Sequence, residues 1–302
     1  MIIDCHTHAF GNPKFNLTGY IKKRRDAVLF KKKYPDIFEN HWKHIDDLTE
    51  HLLKDMDASG INKAALMPAV GETPELVAAA VKRHPERFYG LFMSGFGDFH
   101  PGPSSPDEPP TPDLNKFADN VRSWVKDLGL KGFGEFAVRA FSQHSAPEKI
   151  ARDLMPVMEI INEFKIPVMV LTAWTMYGTP IYHGLPLFVD DLAERFPEIP
   201  FILTKMGRGY SFIFEMCLAL ATKHDNVYLD TVHAPPTHIA RAVHEVGADK
   251  VMFGTDWDWT WRELELPKGI YTRGLSVVEE SGISGNDKEW VLGKTCATVY
   301  KI

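Results

Sequence analysis

The chain begins Met1-Ile2-Ile3-Asp4-Cys5-His6-Thr7-His8, an apolar start, a carboxylate, then two histidines one residue apart. Residues 1–3 open a strand. Side chains alternate along a strand, so His6 and His8 share a face and both imidazoles can reach one metal ion. Imidazole is a common ligand for zinc and related metals. Two polar residues capping a strand end would look the same, so the pair gains weight only from what surrounds it.

Beyond this opening, short apolar runs alternate regularly with longer helical stretches. Strands are expected at residues 63–68, 88–94, 130–136, 167–171, 201–204, 226–230 and 250–254. Helices are expected at 44–59, 74–84, 114–128, 147–164, 187–196, 211–223 and 237–246, with a last one over 286–300. Gly60 ends the first helix. Thr73 caps the second, with Pro74 at its first position. Eight strands each followed by a helix predict parallel pairing, in a single α/β domain over residues 1–302: a (β/α)8 TIM barrel. An open, doubly wound sheet fits the same rhythm, but the chain has no GxGxxG or GxxxxGK[ST] loop to support it.

Two segments interrupt the rhythm and read as rim insertions. Residues 11–44 are polar, basic and aromatic, and include Lys22-Lys23-Arg24-Arg25 and Lys31-Lys32-Lys33. These charge runs read as a solvated helix face or as a lid that meets an anionic substrate. Residues 95–112 carry Gly97, Gly102 and many prolines. Both segments are expected at the barrel rim, closing the pocket.

Composition narrows the function classes. Of 302 residues, 44% are hydrophobic and 25% charged, and the net charge is -6, which points to a globular chain with neither nucleic acid nor membrane as its main partner. The three cysteines, Cys5, Cys217 and Cys296, form no CxxC pair, which argues against a thiolate metal site and fits a reducing cytoplasm. No apolar signal core opens the chain, so a cytoplasmic location is expected.

IIDCHTHAF resembles the opening of the amidohydrolase superfamily, in particular its amidohydrolase-related branch of hydrolases and decarboxylases. GINKAALMPAV, RHPERFYGLF, LGLKGFGEF, RFPEIPFIL, NVYLDT and VMFGTDWDW resemble that branch's successive segments, in order and over nearly the whole chain. The resemblance implies that His6 and His8 bind a divalent metal. It implies that Asp256, in FGTDW, binds the same metal and takes a proton from the attacking water. Glu135, in GFGEF, matches a strand where many relatives place a ligating carboxylate or modified lysine. Pairing with a nearby basic residue is its other reading. Gly132 and Gly134 would allow close backbone approach there.

Two positions depart from the pattern. Leu171 stands where a histidine usually follows the fifth strand, and Lys205 where another follows the sixth. Leucine cannot ligate, and an ammonium only donates. A two-metal centre is therefore not expected. One ion, zinc first and manganese second, would sit on His6, His8 and Asp256, with Glu135 as fourth ligand or neighbour. The other reading leaves the site without metal, with Lys205 supplying the positive charge and a catalytic role beside Asp256.

Trp174, Tyr177, His183, Arg208, His233 and Trp257 follow the strands at the same end and are the candidate substrate-binding residues. Arg208 and Lys205 suit a carboxylate, and the aromatic rings suit a flat molecule. The expected function is a metal-dependent hydrolase that cleaves a C–O or C–N bond of a small anionic substrate. The alternatives are a decarboxylase of an aromatic or unsaturated acid, and a binding protein on a barrel that has lost catalysis. A homo-oligomer is compatible with all three.

Overall fold

The computed structural model describes residues 1–8, 45–68, 73–93, 113–173, 180–258 and 269–302. The two rim insertions, and with them Trp174 and Tyr177, lie outside these residues. The elements run β1 (Ile3–His8), α1 (Ile45–Ser59), β2 (Lys63–Leu66), α2 (Pro74–Arg83), β3 (Phe88–Gly90), α3 (Leu114–Lys126), β4 (Phe133–Phe136), α4 (Pro147–Asn162) and β5 (Val168–Leu171). Then come α5 (Val189–Arg195), β6 (Phe201–Thr204), α6 (Ser211–Lys223), β7 (Val227–Asp230), α7 (Pro236–Val246), β8 (Val251–Met252) and β9 (Trp257–Asp258). Helices α8 (Ile270–Glu280), α9 (Gly285–Glu289) and α10 (Thr295–Tyr300) end the chain.

All strand pairs are parallel. They form two arcs, β3-β2-β1-β9 and β4-β5-β6-β7-β8. Backbone hydrogen bonds join the arcs at both seams. Phe92 N donates to Gly132 O (2.9 Å) and Gly134 N to Phe92 O (2.8 Å), which links β3 to β4. Cys5 N donates to Phe253 O (2.9 Å) and Asp256 N to His6 O (2.9 Å), which links β8 to β1. The chain is thus a closed (β/α)8 barrel, as the alternation predicted.

Packing separates the two faces of the ring. Val168, Val170, Phe201 and Leu203 join the large core between strands and helices. Their neighbours Met169 and Ile202 join Ile3, Cys5, Ala65, Tyr89, Leu91 and Met252 inside the barrel. Cys296, Val299 and Tyr300 of α10 belong to this inner cluster, so α10 closes the end where the strands begin. The opposite end stays available for a site.

Local signals explain the helix starts. Thr73 Oγ1 accepts from Leu76 N, and Pro74 follows it. Asp113 caps α3 through Lys116 N (3.0 Å). Three expectations need correction. The eighth barrel helix is α8, which sequence periodicity had not marked. The segment 286–300 is not one helix: α9 passes through a wider π turn, Trp290–Lys294, into α10. The last strand is also shorter than 250–254, with a second short strand, β9, continuing along β1.

Candidate active site

His6 and His8 reach the mouth because β1 changes phase. Asp4 is opposite Ala64 and Thr7 is opposite Leu66, so three steps on β1 match two on β2. This extra residue is a bulge. Ile3 and Cys5 face the barrel interior, and strict alternation would then send His6 outward. After the bulge His6 turns inward, and its ring centroid lies 5.4 Å from that of His8. Asp4 holds the bulge: its Oδ1 accepts from His6 N (3.0 Å) and Thr255 N (3.1 Å), and its Oδ2 from Thr255 Oγ1 (2.5 Å). Burial raises the Asp4 carboxyl to about 7 despite those bonds. Gly254 lets β8 pass close behind, since a Cβ there would lie 2.9 Å from Val232 Cγ2 and 3.1 Å from His6 Cβ.

Lys205 enters by a different device. Thr204 faces inward, so an extended continuation of β6 would point Lys205 away. Instead the chain turns left-handed at once: φ is 65° at Lys205, 42° at Met206, 78° at Gly207, 50° at Arg208 and 82° at Gly209. Left-handed conformations at non-glycine residues cost roughly 1–3 kcal/mol each, so something must hold this turn. Asp230 does, accepting Lys205 N at 2.6 Å. The ammonium then lies 3.2 Å from Glu135 Oε1 and 3.1 Å from Asp256 Oδ2. Thr204 Oγ1 donates to Glu135 Oε1 as well.

Asp256, itself left-handed at φ 58°, splits its two oxygens. Oδ1 faces His6 Nε2 at 3.4 Å and His8 Nε2 at 3.6 Å. Oδ2 faces Lys205 and, at 3.3 Å, His233 Nε2. Among the described residues, His6, His8 and Asp256 form a group whose donor atoms all lie within 4.8 Å of one another. The 3.4 and 3.6 Å separations are long for hydrogen bonds. Donors about 2.1 Å from a tetrahedral ion stand about 3.4 Å apart, so the spacing suits an ion better than direct bonding. His8 Nδ1 is buried with no partner among the described residues. His6 Nδ1, by contrast, donates to Asp230 Oδ2 at 2.8 Å, leaving Nε2 toward the group. The donor set fits one divalent ion.

Charges in the mouth are tightly matched. Burial and Lys205 push the His6 pKa down, but Glu135, Asp230 and Asp256 outweigh them and hold it well above the ordinary value. Burial, with His6 and Lys205, draws His8 down to about 4, and Asp256 and Glu135 offset this only in part. Burial is the largest influence on Glu135 and Asp256 and raises both, but Lys205 and His6, with His233 beside Asp256, together outweigh it and hold both carboxyls below their usual range. The same two carboxylates overcome burial to raise Lys205.

The remaining candidates divide. Leu171 ends β5 among buried residues and offers no ligand. Arg208 is exposed on the left-handed turn, and His233 is partly exposed beside Asp256. His183 is 4% exposed, with Nε2 3.1 Å from His144 O and Nδ1 without a partner among the described residues. Glu135, expected as a fourth ligand or neighbour or as the partner of a basic residue, pairs with Lys205 and lies 3.6 Å from His6. Trp257 is a correction. It is 0% exposed, and its Nε1 donates to Asp55 Oδ2 (3.1 Å), because β9 pairs with β1 and sends the ring into the core. Sequence reasoning missed Asp230, although the segment NVYLDT ends β7 with it. Its signal was a lone carboxylate closing an apolar strand.

Several solved structures share this fold. A 4-oxalomesaconate hydratase from Rhodopseudomonas palustris is 20% identical, with a TM-score of 0.64 over 100% of this chain and 96% of its own. A 5-carboxyvanillate decarboxylase from Novosphingobium aromaticivorans, complexed with manganese and a nitrobenzoic acid, is 13% identical, with a TM-score of 0.60 over 99% and 95%. An amidohydrolase from Burkholderia multivorans with bound zinc is 13% identical, with a TM-score of 0.62 over 100% and 99%. At these identities the likeness speaks for the fold. The family itself follows from a sequence model, described as Amidohydrolase, that matches residues 3–302. With that match spanning the barrel from its first strand to its last helix, the chain belongs to the amidohydrolase family.

Proposed function

We propose that the protein is a metal-dependent hydrolase of a small anionic substrate, with Asp256 as the base that deprotonates the attacking water. One observation carries this reading: Asp256 turns one oxygen to the His6–His8 pair and the other to Lys205 and His233. A divalent ion held by His6, His8 and Asp256 supplies Lewis acidity and makes a nearby water acidic near neutral pH. Asp256 accepts the proton of that water. Lys205 keeps the carboxylate ionised and ready for it. His233, partly exposed beside Oδ2, lies on the route by which the proton leaves for solvent. Arg208, exposed at the same mouth, suits a carboxylate on the substrate.

The test is activity of zinc- or manganese-loaded protein on lactones and amides that carry a carboxylate. Asp256→Asn should lower kcat by about 10²–10⁴-fold, the range for a lost general base. An unchanged rate would remove Asp256 from the chemistry.

Decarboxylation is the second reading. Lys205 and Arg208 place two cations at one mouth, where they can hold a carboxylate beside the bond that breaks, and several fold neighbours are decarboxylases. Carbon dioxide release from hydroxybenzoates or unsaturated acids, with no turnover of lactones or amides, would favour it.

A further inference from the structure

Asp230 is fully buried at the end of β7, and the substrate-facing roles above make no use of it. Its carboxylate serves three elements at once. Oδ2 accepts from His6 Nδ1 on β1 at 2.8 Å. Oδ1 accepts from Lys205 N, the first amide of the left-handed turn after β6, at 2.6 Å, and from Val232 N at 3.1 Å. One oxygen therefore orients an imidazole and the other fixes the turn that carries the ammonium.

We infer that Asp230 is a positioning residue that couples the His6 ligand to Lys205, holding the imidazole with its proton on Nδ1 and the lysine turn in its left-handed form. The inference rests on the metal-dependent reading above. The physical reason is that a carboxylate has two acceptor oxygens, and here both are needed. An amide has one. If the carbonyl of an asparagine faces Lys205 N, its NH2 faces Nδ1, and the imidazole must move its proton to Nε2, where the metal would bind. If the carbonyl faces Nδ1, the NH2 opposes the Lys205 amide and the turn loses its anchor. Asparagine can satisfy either demand but not both.

The experiment uses the full chain with zinc(II) as the probe. Zinc affinity is measured by competition with a chelating dye for the unmodified protein, Asp230→Asn, Lys205→Met and the double variant. Asp230→Asn should bind zinc about 10–100-fold more weakly, the range for loss of a partner behind a ligating histidine. The two substitutions should not combine multiplicatively, because one carboxylate fixes both groups. Zinc binding by Asp230→Asn at unmodified affinity would overturn the inference while leaving the metal reading intact. An unmodified protein that binds no zinc would overturn both. Should Asp230→Asn fail to fold, the unmodified zinc-loaded protein still decides. Nitrogen-15 spectra of labelled histidine should show the His6 proton on Nδ1 and slow to exchange. A proton on Nε2 would contradict the inference.

Discussion

An ammonium 3.1 Å from Asp256 Oδ2 and 3.2 Å from Glu135 Oε1 bridges two carboxylates and offsets part of their mutual repulsion in a buried mouth. Lys205 thus stabilises the metal-free chain and, by the same charge, repels a cation at the histidines. Lys205→Met should destabilise the metal-free protein by about 3–5 kcal/mol, the cost of breaking a buried pair. It should also tighten zinc binding. Urea denaturation with and without zinc measures both, and weaker zinc binding would refute the repulsion. Lys205→His should raise the zinc content above one per chain, because an imidazole then stands where a relative's ligand does. Trp257→Phe should cost about 1 kcal/mol through the lost bond to Asp55 and leave KM unchanged, since the ring lies in the core. A KM shift without a stability change would restore it to the pocket.

At the scale of elements, the site depends on two irregular strand ends. The bulge in β1 turns His6 inward, and Gly254, just after β8, makes room behind it. Gly254→Ala should cost about 1–3 kcal/mol by overpacking and weaken zinc binding, as the new methyl presses on His6 Cβ. Thermal denaturation and zinc titration check this, and normal zinc affinity would mean that β8 yields without moving the ligand. These irregularities mark what sequence could and could not reveal. His6, His8 and Asp256 were legible because their types and strand-end positions survive any local distortion. The bulge was not, since alternation over 1–8 reads the same with or without it. The left-handed turn at 205–209 was hidden because only Gly207 and Gly209 hint at it, and Lys205 and Arg208 adopt it against their own preference. Asp230 stayed unread for lack of a partner in sequence. Apart from the nearby Val232 amide, its partners are 224 and 25 residues away.

At the scale of the molecule, the alternation of eight apolar runs with helices gave the ring and the end at which its site lies. It misplaced the closing helix, because α8 comes after a segment with no clear period, while α10 fills the barrel's opposite end. Ring closure makes the site a joint property of β1, β4, β6, β7 and the residues after β8, so a bound ion ties distant parts of the chain together. Binding to the folded state alone adds about 4 kcal/mol of stability at a thousandfold excess over Kd. The central claim is that this family member holds one ion on His6, His8 and Asp256, with Lys205 excluding a second. The most direct measurement is the metal content per chain after reconstitution with zinc and removal of excess, in the unmodified protein and in His8→Ala. The account predicts one zinc per chain, with a raised thermal midpoint, and loss of both in His8→Ala. Two zinc ions per chain, none, or one that persists without His8 would contradict it.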